Sequence, residues 1–406
     1  MVYNTQKSIA MSKYNSQNES SVVIKKGKQF NMKQKLNIAM LGQKRVPSRE
    51  GGVEIVVEEL AVRMARLGHR VTCFNRGGHH VSGRQYDGRN IKEYRGVRLK
   101  TVPTIDKKGL AAMTSSFTGA IAAAFGRYDV VHFHAEGPCA MIWIPKLFGK
   151  RCIATIHGID WQRAKWGGFA SKYIKWGEKM AAKHADEVIV LSSGVQKYFV
   201  DTYGRETIYI PNGVSKPDIK EPELITERLR IEKDGYILYL GRLVPEKGIE
   251  YLIRAFKSVN TDKKLVIAGG SSDTDEYAKR LHMLAEGDDR IVFTGFVQGR
   301  MLEELYSNAY IYCLPSDLEG MPLSLLEAMS YGNCCLVSDI TECVDVVEEH
   351  GVVFQKGSVE NLTDKLNMLC HNPDIVSNYK NTAAEFICNR YNWDDVVEKT
   401  LEIYVK

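Results

Sequence analysis

Short apolar runs, each ending in a glycine or polar loop and followed by a stretch with helical spacing, recur along nearly the whole chain. The first is Lys35 to Leu41, closed by Gly42 and followed by a polar loop and then Val53 to Leu67 with apolar residues at helical intervals. Arg70 to Phe74, Val97 to Val102, Asp129 to His134, Arg151 to His157 and Glu187 to Ser192 repeat the run, with helical stretches at 109–126 and 168–184. Runs this short and this apolar are strands of a parallel sheet buried on both faces. After a Pro/Glu-rich connector near Ser215 to Pro222 the pattern restarts, at Tyr236 to Leu240, Lys264 to Ala268, Ile291 to Thr294, Ala309 to Leu314, Cys334 to Ser338 and Gly351 to Phe354. The expected class is α/β, with two doubly wound Rossmann-like domains in tandem, over 34–214 and 215–390. At 406 residues and 44% hydrophobic content the chain is too long for one ordinary core and suits two. Ligands of such sheets bind beyond the carboxyl ends of the strands, so two facing domains make a cleft.

Residues 1–33 are polar, rich in Ser, Asn, Gln and Lys, and lack the apolar core of a signal peptide. A flexible extension is expected there. No apolar run spans a bilayer; Gly109 to Gly126 comes nearest and is interrupted by Thr and Ser. The nine cysteines have no metal-loop spacing, which favours reduced, buried thiols in a cytoplasm over a zinc site. A net charge of +6 hides an asymmetry: residues 1–214 hold 34 Lys and Arg against 16 Asp and Glu, whereas 215–406 hold 21 against 33. The basic half suits an anionic membrane, phosphorylated substrates or nucleic acid, or simply attracts the acidic half.

The chemistry-bearing residues fall at the loops. Gly51 and Gly52 follow the first strand and permit close backbone approach at a helix start, but Val46 to Glu54 is not G-x-G-x-x-G, so a nicotinamide cofactor is disfavoured. Arg242 and Lys247, in Tyr239 to Glu250, hold the equivalent place in the second domain and can converge on a diphosphate. His132, His134 and His157 lie near strand ends; His157, beside Gly158, is the candidate for orienting a sugar hydroxyl or moving a proton, and the other two read as structural. Asp273-Thr-Asp275 matches a metal-holding D-x-D pattern, yet it immediately precedes a helix and reads as capping. No metal is expected. Trp161, Trp166, Phe169, Tyr173 and Trp176 interleave with Arg163, Lys165, Lys172, Lys175 and Lys179, which fits either a membrane-facing helix or the core stripe of a crossover helix. Nucleic acid is not expected, because no binding module accompanies them.

Glu319 and Glu327 lie eight residues apart in Asp317 to Gly332, one in a loop and one inside a helix. Both can touch one elongated polar ligand, and the Gly320-Met321-Pro322 turn between them presents free amides and a helix N-terminus.

Taken in order, Gly51-Gly52, His157-Gly158, Ile210-Pro-Asn-Gly213, Gly241-Arg242, Lys247-Gly248, Ile267-Ala-Gly-Gly270, Gly295-Phe-Val297 and the glutamate pair resemble the retaining glycosyltransferases of family 4, which have the GT-B fold. The resemblance covers residues 35–404. It implies a nucleotide-diphosphate sugar donor held mainly by the second domain, a glycan acceptor bound by the first, and no cofactor or obligatory metal. By motif, Arg242 and Lys247 would hold the diphosphate and Glu327 the ribose. Glu319 and the backbone of Gly320, Met321, Pro322 and Leu323 would hold the donor sugar and phosphate. Val297 would line the base, Gly52 would approach the phosphate across the cleft, and His157 would lie at the donor sugar near the reacting carbon. The tail, 391–406 with Trp393, resembles closing helices that cross back to the first domain. In such enzymes the departing phosphate helps deprotonate the acceptor, so Glu319 positions and does not attack.

The opening loop, Gly42 to Glu54, looks most like a subgroup of bacterial capsular and cell-surface polysaccharide enzymes that includes rhamnosyltransferases. The implied protein is cytoplasmic and peripheral on the inner face of the plasma membrane. Its acceptor is linked to a lipid diphosphate, and Trp161, Lys165 and Trp166 lie on the acceptor or membrane side. The rival readings are a GT-B-like sugar-nucleotide epimerase or phosphorylase, and a non-catalytic glycan-binding protein.

Overall fold

A computed structural model of the chain describes residues 35–78, 91–107, 109–162, 168–270 and 275–406. The expected extension over 1–33 lies outside them. Two sheets follow one another along the chain. The first holds β1 (Asn37–Leu41), β2 (Arg70–Arg76), β3 (Glu93–Tyr94), β4 (Val97–Val102), β5 (Val130–His134), β6 (Arg151–Ile156), β7 (Glu187–Val190) and β8 (Ile208–Tyr209), in the order β3-β4-β2-β1-β5-β6-β7-β8. The second holds β9 (Tyr236–Leu240), β10 (Lys264–Ala268), β11 (Ile291–Gly295), β12 (Ile311–Leu314), β13 (Cys334–Ser338) and β14 (Val352–Phe354), in the order β11-β10-β9-β12-β13-β14. The β3–β4 pair is antiparallel and the other pairs are parallel. Two-residue β3 and β8 go unread in the sequence because so short a strand carries no periodicity.

Alternation along β1 divides the first domain into two layers. Ala39 and Leu41 point to a layer closed by the helices Leu110–Ala124, Trp143–Leu147, Gly168–His184 and Ser193–Tyr203, which supply Ala120, Ile144, Ala181 and Phe199. Ile38 and Met40 point the other way, onto Val57, Leu60 and Met64 of the helix Gly52–Arg66. That second layer runs on without a break into the core of the second domain. There the helix Ile249–Lys257 buries Ile249, Leu252, Ile253 and Phe256, each contributing about 1.5–3 kcal/mol relative to exposure.

The chain passes from the first domain to the second near Val214 and returns after Tyr391. The two passages are paired: the Val214 amide donates to the Tyr391 carbonyl at 2.7 Å, and Val214 bridges in parallel to Asn392. The final helix, Trp393–Val405, opens on an Asn392 cap that accepts from the Asp394 amide at 2.7 Å and lies against the helix Gly52–Arg66. Arg151 donates to the Ile403 carbonyl at 2.8 Å near the end of that helix. All nine cysteines are free thiols, seven of them buried. Among the described residues no helix is long and apolar enough to cross a membrane.

Candidate functional site

In each sheet the strand order reverses at one place, between β1 and β5 in the first and between β9 and β12 in the second. The loops leaving those strands part there and leave a crevice. Glycine closes both switch points. Gly42, at φ +114°, would carry a Cβ 2.0 Å from the His134 carbonyl oxygen, and Gly248, at φ +63°, one 1.9 Å from the Pro315 carbonyl oxygen. No side chain fits at either position.

The two crevices meet. A Cβ on Gly320 would fall 1.7 Å from the His157 carbonyl oxygen, so the loop after β12 runs backbone against backbone with the loop after β6. Gly52 lies across from Leu323, and the Asn212 side-chain amide donates to the Met321 carbonyl at 3.3 Å. Gly52 and Leu323 are the first residues of the helices Gly52–Arg66 and Leu323–Ser330, and neither helix has a side-chain cap. By contrast, Ser192 and Ser358 cap the helices Ser193–Tyr203 and Val359–His371 through their hydroxyls. Uncapped amides with the positive end of the helix dipole behind them favour an anion. Pro322 is the residue immediately before the helix Leu323–Ser330.

Around this backbone stand two carboxylates, each with a cation and a hydroxyl. Glu319 Oε1 accepts from Lys247 Nζ at 2.5 Å and from Ser316 Oγ at 2.6 Å, with both charged side chains nearly buried. Lys247 lies in the short turn Pro245–Lys247 after β9, so the pair spans the switch point. An ammonium has three donors, and Glu319 accepts one of them. Glu327 Oε2 accepts from Tyr306 Oη at 3.1 Å, and Arg49 Nη1 of the first domain stands 3.8 Å from Oε1. Desolvation raises the Glu327 carboxyl above its usual range, against the opposing pull of Arg49 and the Tyr306 hydrogen bond. Arg242 is half-buried at the end of β9; its carbonyl accepts from Tyr239 Oη at 3.0 Å, and its guanidinium makes no ion pair among the described residues. Val297 is half-buried against the core, just past β11.

On the first-domain side three imidazoles form a line. β5 and β6 pair with His134 opposite Thr155, which puts His157 beside His134. His134 Nδ1 lies 3.2 Å from His157 Nε2, and the His132 and His134 rings are 4.1 Å apart. His132 is held by Tyr404 Oη of the last helix at 2.6 Å and by Thr155 Oγ1 at 2.7 Å. Burial keeps His132 neutral down to about 3 and holds His134 well below its usual range, each reinforced by a neighbouring imidazole. His134 Nε2 meets no partner among the described residues, so its proton is better placed on Nδ1 and donated to His157 Nε2. His157 then carries its own proton on Nδ1.

The candidate residues His157, Lys247, Glu319, Glu327, Gly320, Met321, Leu323 and Gly52 are thus gathered at one junction, with Arg242 at the neighbouring strand end. Ser316, Tyr306 and His134's bond to His157 had no signal of their own in the sequence. Arg49 and Asn212 lie in segments that carried the resemblance but were not singled out. Trp161 lies in the turn Asp160–Gln162 after His157, its ring 4.5 Å from Lys175 Nζ. Lys165, Trp166 and Asp273 lie outside the described residues, and Asp275 is the first residue of the helix Asp275–Ala285. Among the described residues no group of three or more His, Cys, Asp or Glu is placed to hold a metal ion.

This arrangement of two facing parallel-sheet domains is the GT-B fold. A sucrose-phosphate synthase from Thermosynechococcus elongatus superposes with a TM-score of 0.78 over 91% of this chain and 98% of that one, at 21% identity. Residues 50–216 match the family model Glycosyltransferase Family 4, and residues 221–393 match Glycosyl transferases group 1. The chain belongs to these families and is a glycosyltransferase. It is 25% identical to the uncharacterized glycosyltransferase MJ1607 of Methanocaldococcus jannaschii over 91% of this chain and 98% of that protein. It is also 25% identical to the UDP-Gal:alpha-D-GlcNAc-diphosphoundecaprenol alpha-1,3-galactosyltransferase of Escherichia coli, over 69% of this chain and 76% of that protein.

Proposed function

We propose that the protein transfers a sugar, with retention of configuration and without a metal or cofactor, from a nucleotide-diphosphate sugar to a glycan acceptor carried on a lipid diphosphate. The observation that carries this reading is the meeting of two uncapped helix starts and Lys247 between the switch points, with Arg242 at the neighbouring strand end. Such a set neutralises the charge that develops on a departing diphosphate. Lys247 gives its two remaining N–H groups to the diphosphate, beside the Arg242 fork. Glu327 holds the ribose hydroxyls, and Val297 lines the base. Glu319 and the backbone from Gly320 to Leu323 hold the donor sugar and its phosphate, which Gly52 approaches from the other side. His157, with its proton on Nδ1, donates to the sugar near the reacting carbon. The phosphate leaves on the face from which the acceptor enters and takes up its proton, so no carboxylate need attack.

The lipid-diphosphate acceptor draws support from the Escherichia coli relative, whose name specifies a diphosphoundecaprenol-linked substrate. It fits a cytoplasmic enzyme peripheral to the inner face of the plasma membrane, building surface polysaccharide. The opening loop makes a rhamnosyl donor the first to test. A thermal-shift screen against UDP-, GDP- and dTDP-sugars tests donor binding: at a hundredfold excess over Kd, a true donor stabilises the fold by about 2.7 kcal/mol. Nucleoside diphosphate release is then followed with lipid-linked acceptors, with and without EDTA, and the anomeric configuration of the product is read by NMR. No release with any donor and acceptor overturns the transfer; release abolished by EDTA or an inverted product overturns the corresponding part.

A further inference from the structure

The proposed lipid-linked acceptor calls for a membrane but does not say which face of the protein meets it. Every phenylalanine and tryptophan among the described residues that is exposed to solvent lies on one layer of the first domain: Phe117, Phe125, Trp143, Phe148, Phe169 and Trp176. They stand on or at the ends of the helices Leu110–Ala124, Trp143–Leu147 and Gly168–His184, which cover the same side of the first sheet and touch one another in sequence. Phe125 and Phe169 are 74% and 77% exposed, and Phe125 packs edge-on against Phe148 at 4.8 Å instead of entering the core. Among the described residues the second domain shows nothing comparable, exposing only Ile219 and Met283 of its large apolar side chains.

The helix Gly168–His184 decides between core stripe and outward face. Its inner face is Ile174, Gly177, Glu178, Ala181 and Ala182. Phe169, Lys172, Trp176, Lys179 and Lys183 are exposed at intervals of three and four, which is one continuous outer face. Lys175 flanks it. The three helices contain a single acidic residue, Glu178, and it is buried beneath Tyr198 and Tyr203, which donate to it. The outer face of these three helices therefore combines exposed aromatic rings with lysines, and the nearest carboxylates, Asp186 and Asp201, are each paired with a lysine, Lys146 and Lys197. Exposed apolar patches mark protein or membrane contacts, and the row of lysines on this face matches a surface of fixed negative charge with an apolar interior.

We infer that this helical layer, centred on Phe169, Lys172, Trp176 and Lys179, docks the protein on an anionic bilayer, with the rings in the acyl boundary and the ammonium groups among the phosphates. The inference rests on the lipid-linked acceptor only for its biological sense; the surface itself stands on exposure and charge. Long lysine stems reach the headgroups while Phe169 and Trp176 enter below them. Each lysine near the surface strengthens partitioning about fivefold, a factor that falls as salt screens it.

The test is co-sedimentation of the full chain with phosphatidylcholine vesicles, with and without about one-third phosphatidylglycerol. The wild-type protein is expected to bind the anionic vesicles, to bind the neutral ones at least about tenfold less, and to weaken with added salt. Lys172→Glu/Lys179→Glu and, separately, Phe169→Ser/Trp176→Ser are each expected to reduce binding at least about tenfold. Because these side chains are exposed, both variants should keep the wild-type thermal midpoint and the wild-type rate of nucleoside diphosphate release with a short water-soluble acceptor. Equal binding to both vesicle types, or binding unchanged in both variants, overturns the inference. So does a dimer, seen by sedimentation velocity without lipid, that the same substitutions dissolve, or retention of single-stranded RNA in place of vesicles. Vesicle binding without any sugar transfer would leave this surface standing and remove the proposed function; transfer without vesicle binding would do the reverse.

Discussion

The two domains repeat one architecture and equip it differently. Each has a switch point closed by a glycine that admits no side chain, but the second domain lines its crevice with the buried Lys247–Glu319 pair, whereas the first brings neutral imidazole and backbone, with Arg49 reaching over to Glu327. Lys247 and Glu319 hold each other in place as an ion pair, whereas His132 is oriented by hydrogen bonds to Tyr404 and Thr155 and His134 by one to His157. A domain that must bind a diphosphate gains from fixed charge. A domain that must admit a sugar and let a proton move gains from groups that stay uncharged as the diphosphate charge shifts beside them.

Breaking the charged side should cost most. Lys247→Met is expected to lower turnover by about 10²–10³, as for loss of one donor to a developing anion, and to destabilise the fold by about 3 kcal/mol because Glu319 stays buried without its cation. Adding Glu319→Leu should recover most of that stability and none of the turnover; denaturant melts with nucleoside diphosphate release check both. Next comes the junction. Gly320→Ala sets a methyl where the His157 carbonyl lies and should cost about 100-fold in turnover, the loss that a misplacement of about 1 Å can bring. A variant with wild-type turnover would show that the two loops do not need to touch.

The neutral side is tested by pH. Folded His132 and His134 resist protonation, while the unfolded chain binds protons near the ordinary 6.5. The unfolded state therefore holds more protons from about 6.5 downward, to about 3 for His132, and stability falls as pH drops through that window, by up to about 1.4 kcal/mol per pH unit for each histidine. Glu327 acts oppositely: its raised carboxyl contributes stability below its ordinary 4.5 that is lost as pH rises above it. Thermal midpoints of His134→Met should fall less steeply on acidification than those of the wild type, and parallel curves would place the proton elsewhere. The smallest effect is expected from Arg49→Ala. Its pair with Glu327 is long and partly exposed, so stability should change by less than about 1 kcal/mol, with any larger effect confined to donor affinity in the thermal-shift screen.

Much of this was legible in the sequence because parallel strands buried on both faces announce themselves. The strand ends of β9, β10 and β13 coincide with the apolar runs, since burial sets both. The glycines and charged residues of the site follow strand ends, where a doubly wound sheet must put its ligand. What could not be read was which loops meet. Lys247 and Glu319 are 72 residues apart, and they pair because β12 lies beside β9, with β10 and β11 on the other side. His134 reaches His157 through the register of β5 on β6, and Tyr306 reaches Glu327 from another helix; neither relation has a local pattern. The aromatic and basic stretch from 161 to 179 remained open between core and surface until the helix phase assigned Phe169 and Trp176 outward and Ile174 and Ala181 inward.

The paired passages at Val214 and Asn392 have a mechanical consequence. Two separate crossings would act as two pivots and lock the domains, and a single one would leave a swivel free to turn in any direction. Two passages held together by one bridge share one line of bending, which would confine any opening of the cleft to a single arc. Tyr404, at the far end of the helix that starts at this line, is bonded to His132, so the same helix that begins at the hinge ends on the imidazole row.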